Sequence, residues 1–406
     1  MICEDLITYA ESCLSKFCLE ISDRSVGSQG NQLATEFFSK ELDKLSWKTD
    51  SQDFEAIDWC EEGAHLETGE TSVEVFVSPY APGCNVTAPL VSASNLEELE
   101  RLNVKDQILL VHSELAKEQL MPKNFVFYNP KSHQQIIAEF ERQQPAAIIC
   151  ATSRNAATAG GVYPFPLIED GDFVIPSVYM TAEEGQELLT YAGQTASLLS
   201  SAQRIPSQGC NVIARKGAGD KRIVITAHID AKKGTPGAID NATGVVLLLL
   251  LAKILNNYKG GTRLELVALN GEDYYAASGQ MRYLKENQGK FADLLFNINI
   301  DGLGYKEGPT AFSLFTLPKG TKESVLSVIE DFDDLVEGPQ WVQSDHSIFI
   351  QQGCPAIAVS SSWFLEHMSD QTITHTPRDN LDIVDSVKVV EAAQALASFI
   401  GLVTEA

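Results

Sequence analysis

Apolar and polar positions fall into three textures along the chain. From residue 2 to about 48, apolar side chains recur at helical spacing, as in LATEFFSKELDKLSW, and predict helices. From about Leu66 to Ser200 the pattern shortens into β-like runs, VEVFVSPY, QILLVH, AAIICAT and FVIPSVYMT, with the helical stretch SHQQIIAEFERQQP between them. From Cys210 onward strands and helices alternate regularly. RIVITAH, RLELVALN, LFNINID, FSLFTL and AIAVSS read as strands, separated by segments long enough for one helix each. That rhythm predicts an α/β sheet with helices on both faces. The run VVLLLLLA, starting at Val245, ends at Lys253, well short of the roughly 20 residues that span a bilayer. Apolar almost all round, it predicts a helix buried against the sheet.

A length of 406 residues suggests two domains, or one large domain with an insertion. Net charge is −25, from 55 acidic and 30 basic residues, which argues against nucleic acid or an anionic membrane as partner. The N-terminus, MICEDLITYAESCLSKFCLEISDR, has acids where a signal peptide needs bases and no apolar core segment, so the expected location is cytoplasmic. The cysteines at positions 3, 13, 18, 60, 84, 150, 210 and 354 form no CxxC pair and are expected to be free thiols. Asn85-Val-Thr and Asn241-Ala-Thr match the glycosylation pattern but carry no weight in such a chain.

In an α/β sheet, chemistry gathers at the carboxyl ends of the strands. RIVITAH ends at His228 and is followed by Asp230, and the next helix opens at Asp240-Asn241. RLELVALN runs into Gly271-Glu272-Asp273, LFNINID ends at Asp301, and ITHTPRDN presents His375 before the last helix. Taken singly, each is as well explained as a helix cap or a loop charge: Asp240 caps a helix, and Glu272-Asp273 is a solvated acidic pair. Their coincidence at one end of adjacent strands favours a site. Bare acids so placed would repel one another, whereas divalent cations remove the repulsion, and mixed His and carboxylate ligands suit zinc.

The segments AHIDAKKGTPGAIDNATGV, NGEDYYAASG, NIDGLG, SDHSIFIQQGCPAIAVS and THTPRDN resemble, in order, five blocks of the di-zinc aminopeptidases related to bacterial leucyl aminopeptidase and glutamate carboxypeptidase. The likeness spans about residues 205 to 385, and EISDRSVGSQGNQLATEFFSKEL resembles the N-terminal helix of the same catalytic domain. It implies a zinc-peptidase fold, with a mixed, mostly parallel sheet, built from residues 1–65 and 201–406. Residues 66–200 resemble an inserted protease-associated domain, smaller and α/β or mostly β. The resemblance implies two zinc ions per chain. Asp240 would bridge them, His228 and Asp301 would complete one, and Asp273 and His375 the other. Glu272 would be the general base, Asp230 would orient His228, and a cis peptide would join Asp240 to Asn241. Asp345-His346, in the SDH block, would support the pocket without ligating.

Two departures stand out. Asp273 occupies a place where many relatives have Glu, and Thr374 precedes the last histidine where some have a Tyr that serves the oxyanion. His65, His112 and His133 are expected to be surface or packing residues; His367 faces solvent or lines the pocket. The implied activity is a zinc-dependent exopeptidase acting on peptides. A carboxypeptidase or a single-zinc glutaminyl cyclase on the same scaffold is the alternative, and a non-catalytic binding protein a third. Around the rim, Glu272, Asp273, Asp301, Glu366 and Asp370 outweigh Lys232, Lys233 and Arg378. That balance favours an ammonium over a carboxylate, hence an aminopeptidase, with apolar or small side chains weakly preferred.

Overall fold

The first helix, α1 (Glu4–Ser15), buries Leu6, Ala10, Cys13 and Leu14 along one stripe. The second, α2 (Gln29–Lys44), opens at Ser28, whose Oγ accepts from the Asn31 N–H at 3.0 Å, and buries Ala34, Phe38 and Leu42. These coordinates, a computed structural model, describe residues 4–21 and 23–405, so the cysteine at position 3 lies outside them. The seven described cysteines are free.

A long strand, β1 (Lys48–Thr68), follows, and the chain then builds a compact unit from Ile57–Ser207. Its further strands are β2 (Thr71–Val73), β3 (Phe76–Val77), β4 (Cys84–Ala93), β5 (Ile108–Val111), β6 (Ala147–Thr152), β7 (Ser177–Thr181) and the first part of β8 (Thr195–Lys216). In the order β8-β4-β5-β6-β7-β3, the four central strands run parallel and the outer two antiparallel. Helices α3 (Leu96–Arg101), α4 (Lys131–Gln143), α5 (Ala156–Ala159) and α6 (Ala182–Leu188) connect them. Successive side chains of β5 alternate between two cores: Leu109 and Val111 pack with Phe140 of α4, Ile108 and Leu110 with Leu188 of α6. The unit is therefore α/β with both faces covered. The change of texture suggested boundaries at 66 and 200; the unit divides at 57 and 207, inside β1 and β8, which run through both points as continuous strands.

The other unit, Met1–Ala56 with Gln208–Ala406, holds β9 (Arg222–His228), α7 (Thr243–Ile254), β10 (Arg263–Leu269), α8 (Ser278–Glu286), β11 (Leu294–Ile300), β12 (Thr310–Phe315), α9 (Lys319–Glu330), β13 (Leu335–Glu337), α10 (His346–Gln351), β14 (Ala356–Ser361), α11 (Ser362–Glu366) and α12 (Ser386–Glu405). The sheet order is β13-β12-β14-β11-β9-β10-β8, with β14, β11, β9 and β10 parallel and β12 and β8 antiparallel to their inner neighbours. The expected mixed, mostly parallel sheet is present. Its inner strands are buried at nearly every position, which is why they read as mostly apolar runs. Residues Val245 to Ala252 of α7 are at most 1% exposed, and α7 packs on α1, α2, α12 and the sheet. On the opposite face Ala356 and Ala358 of β14 pack with Ile350 of α10. Among the described residues one helix, spanning Ser386–Thr404, is long and apolar enough to cross a membrane; over half of it is buried.

Order along the sheet decides where a site can form. From β9 the chain continues to β10 on one side and to β11 on the other, so the two crossovers diverge and leave a crevice at the carboxyl ends of these strands.

Candidate metal centre

That crevice collects the residues read from the strand ends. His228 closes β9, Glu272 and Asp273 follow β10, and Asp301 follows β11. Asp240 lies in the irregular turn Ala238–Ala242 ahead of α7, and its peptide bond to Asn241 is cis, as the resemblance implied. His375 sits in the loop before α12 with φ +62°, in the left-handed region that few side chains adopt.

Asp240 is the hub. Its Oδ1 lies 3.1 Å from His228 Nε2 and its Oδ2 3.2 Å from His375 Nε2. Asp301 Oδ1 is 3.5 Å from the same His228 nitrogen, and Asp273 Oδ1 is 3.1 Å from the same His375 nitrogen. Two trios result, His228-Asp240-Asp301 and Asp240-Asp273-His375; in each, the candidate donor atoms lie within 4.8 Å of one another, and Asp240 belongs to both. Glu272 groups in the same way with His228 and Asp273.

Two atoms test whether a cation fits. His228 Nε2 and Asp273 Oδ2 are buried, yet neither makes a hydrogen bond. Buried polar atoms are nearly always paired, and these two belong to residues of the two trios. The donor set, imidazole nitrogen and carboxylate oxygen, suits zinc.

Charge within the cluster is strongly coupled. Burial opposes charge on both His228 and His375. Asp301, with Asp230 and Asp240, overrides it at the first and Asp273 with Asp240 at the second, so both imidazoles titrate well above their ordinary range. Burial pushes the Asp240 carboxyl up, but the two imidazoles outweigh it and hold it far below the usual carboxylate range. Glu272 goes the other way: burial, reinforced by Asp273, Asp301 and Asp345 against the pull of His228, lifts it well above an ordinary Glu. A carboxylate that takes up a proton readily is suited to general-base work.

The surroundings fix these positions. The Asp230 carboxylate accepts from the backbone N–H of Gly271 at 2.7 Å and of Asp273 at 3.0 Å, so it ties down the loop that bears Glu272. Its Oδ1 is 3.7 Å from His228 Nδ1, too far for a hydrogen bond; the Asp230 carbonyl, at 3.2 Å, is the nearer acceptor. The orienting contact therefore comes from backbone, and the carboxylate serves the neighbouring strand end. Gln371 accepts the N–H groups of Ile373 and Thr374 and donates to the Thr374 hydroxyl, bracing the approach to His375.

Reading the sequence missed two buried groups. Asp379 is fully buried and accepts from the Ile239 and Asp240 N–H groups at 2.7 and 3.0 Å; burial, with Asp240 nearby, pushes it up to about 7. Arg24 is 2% exposed and donates to the carbonyls of Phe17, Ile229, Pro236 and Gly237. Both lie within quoted motifs, THTPRDN and EISDRSVGSQGN, but a charge beside a proline or a helix start reads as solvated.

Other expectations resolve individually. Asp345 is buried, accepts from Gln280 Nε2 at 2.9 Å, and is pushed up to about 7 by burial. His346 bonds the Trp341 carbonyl at 2.9 Å between the rings of Trp341 and Phe315. His367 stacks on Trp363 at 4.3 Å and bonds its carbonyl, outside both trios. His65 is exposed and His112 half-buried, while His133 is buried and accepts from the Met121 N–H at 3.1 Å. Lys232 donates to the Asp273 carbonyl at 2.9 Å, Lys233 lies 3.7 Å from Asp23, and Arg378 donates to Thr372. Glu366 and Asp370 are exposed.

Comparison with known proteins agrees with this architecture. Residues 211–400 match the model of peptidase family M28. The chain is similar to the aminopeptidase YwaD of Bacillus subtilis, 22% identical over 55% of this chain and 50% of that protein. It is also similar to a probable leucine aminopeptidase 2 of Aspergillus fumigatus, 24% identical over 82% and 67%. In the first of these the match spans about half of the relative's length. Among solved structures, an aminopeptidase from Aneurinibacillus sp. strain AM-1 superposes with a TM-score of 0.76 at 20% identity, over 97% of this chain and 93% of that one. BSAP, a zinc aminopeptidase from Bacillus subtilis, gives 0.75 at 19% identity, over 98% and 94%.

Proposed function

We propose that the chain is a zinc-dependent aminopeptidase that removes N-terminal residues from unblocked peptides. The observation that carries this reading is Asp240, with one carboxylate oxygen turned to each of two buried imidazoles that belong to separate trios. His228, Asp240 and Asp301 would hold one ion and Asp240, Asp273 and His375 the other. Zinc bound there supplies a Lewis acid and makes a water molecule acidic enough to ionise near neutral pH.

Glu272 then moves the proton. Its carboxylate takes a proton from the attacking water as the water oxygen bonds the scissile carbonyl carbon, and returns it to the departing amine nitrogen as the C–N bond breaks. Asp230 keeps Glu272 in reach by holding the N–H groups on either side of it. The Thr374 hydroxyl is bonded to the Gln371 amide, so it supports the loop rather than an oxyanion.

Polarity selects the end of the peptide. Lys232, Lys233 and Arg378 are occupied by the Asp273 carbonyl, Asp23 and Thr372, and Arg24 by backbone carbonyls, while carboxylates dominate the cluster. A free ammonium is favoured over a free carboxylate, which asks for an arginine fork. Side-chain preference would be weak, for apolar or small residues. Ile57–Ser207 would be a protease-associated domain. The free cysteines fit a reducing, cytoplasmic setting.

A pair of peptides, one with a free and one with an acetylated N-terminus, tests this. The free peptide should shorten from its N-terminus and the acetylated one should remain intact. Equal cleavage of both, or shortening from the C-terminus, would sink the aminopeptidase reading while leaving the metal centre standing.

A further inference from the structure

The turn that carries Asp240 has almost no regular structure of its own, yet five of its successive residues have a backbone group held by Arg24 or Asp379. Arg24 takes the carbonyls of Pro236 at 2.7 Å and Gly237 at 2.8 Å. The Asp379 carbonyl takes the N–H of Ala238 at 3.2 Å, and the two oxygens of the Asp379 carboxylate take the N–H groups of Ile239 and Asp240. Five consecutive residues are thus gripped by two remote residues, four through the side chains of Arg24 and Asp379 and Ala238 through the Asp379 backbone, and both residues are shut off from solvent.

The grip has a direction. Asp379 stands four residues after His375, on the same loop, so whatever fixes the Asp240 backbone to Asp379 also fixes it to His375. On its other side, Asn241 Nδ2 donates to the Ile300 carbonyl at 2.8 Å, next to Asp301, and its Oδ1 accepts from Gly244. His228 and Asp301 sit at the ends of buried parallel strands and owe nothing to Asp379. His375, by contrast, lies in a loop at positive φ and has no strand behind it.

We infer that Asp379 is a positioning residue that registers the His375 loop against Asp240, and so governs the ion held by Asp240, Asp273 and His375 while leaving the ion at His228, Asp240 and Asp301 nearly untouched. The inference rests on the two-ion reading of the site. Arg24 is the outer half of the same clamp: it holds the preceding carbonyls and places the only full positive charge named in this grip near a carboxylate that has no ion-pair partner among the described residues.

Stepwise zinc titration of the metal-free chain against a competing chelator separates the two ions. Wild type should take two equivalents. Asp379→Asn keeps one acceptor oxygen but turns an amide N–H toward a backbone N–H. It should weaken one equivalent by about ten- to a hundredfold, the usual cost of losing a partner that orients a metal ligand, and shift the other by less than about threefold. Asp379→Ala should weaken the same equivalent at least as much. Cooperative thermal unfolding of each metal-free variant checks that it folds; should the alanine variant fail, the near-isosteric asparagine variant decides. A merely structural role would lower both equivalents together or neither, and either result overturns the assignment. A wild-type chain that takes a single equivalent would overturn the two-ion reading itself, and the inference with it.

Discussion

The two units use the same grammar and end it differently. In both, parallel strands alternate with helices, and buried side chains pack on two faces of the strands. In the inserted unit polar groups are paired: at the end of β6, Thr152 Oγ1 both donates to and accepts from Phe165 backbone, and in α4 His133 accepts from Met121. The buried atoms left without hydrogen bonds there are hydroxyls and one amide oxygen. In the larger unit they include imidazole and carboxylate atoms, His228 Nε2, Asp273 Oδ2 and Asp345 Oδ2. An ionisable group left unpaired in the interior is costly, so it marks a place where something else completes it. Fold periodicity finds the rim of a sheet; unpaired ionisable atoms find the site on it.

The comparison breaks most visibly at Asp240. Asp240→Ala removes the only carboxylate common to both trios and should abolish activity together with zinc binding. A variant that retains two zinc ions by elemental analysis would remove Asp240 from its place at the centre. Glu272→Gln separates chemistry from binding. It should lower kcat by about 100- to 10,000-fold with zinc content unchanged. A loss below about tenfold would hand the proton to another group.

Asp345 offers a pH test. Its carboxyl titrates near 7 in the fold, raised by burial, against about 4 when unfolded. A raised carboxyl disfavours ionisation in the native state, so the metal-free protein should lose stability as pH rises from about 4 to about 7, and no further above that. Asp345→Asn removes the titration and leaves an oxygen for Gln280. Urea denaturation at several pH values should show the variant gaining on wild type by up to roughly 1.4 kcal/mol per pH unit within that window. Parallel pH profiles would contradict the shift. The smallest effect is expected in the inserted unit. His133→Ala removes the acceptor of the part-buried Met121 N–H at a cost of about 0.5–1.5 kcal/mol and should leave zinc binding alone. A change in zinc affinity there would erase the contrast between the units.

Much of this was legible in the sequence for a physical reason. Parallel strands buried on both faces write themselves as apolar runs, and the crevice at their carboxyl ends requires the breaks at His228, Glu272-Asp273 and Asp301 to coincide in space. His375 was harder, because a loop at positive φ has no period; the THTPRDN motif alone pointed to it. Arg24 and Asp379 escaped notice because burial of a charge depends on which backbone groups surround it, and those come from segments more than a hundred residues away. The unit boundaries escaped because β1 and β8 run through them unbroken. Asp230 shows a subtler limit. Its proximity to His228 was readable, but whether its carboxylate or its carbonyl makes the contact depends on a fraction of a turn of one side chain.

The central claim is that two ions share Asp240, and a crystal of the zinc-loaded chain measured at the zinc absorption edge tests it most directly. The account predicts two anomalous peaks, one between His228, Asp240 and Asp301 and one between Asp240, Asp273 and His375. A single peak, or peaks that do not both touch Asp240, would contradict it.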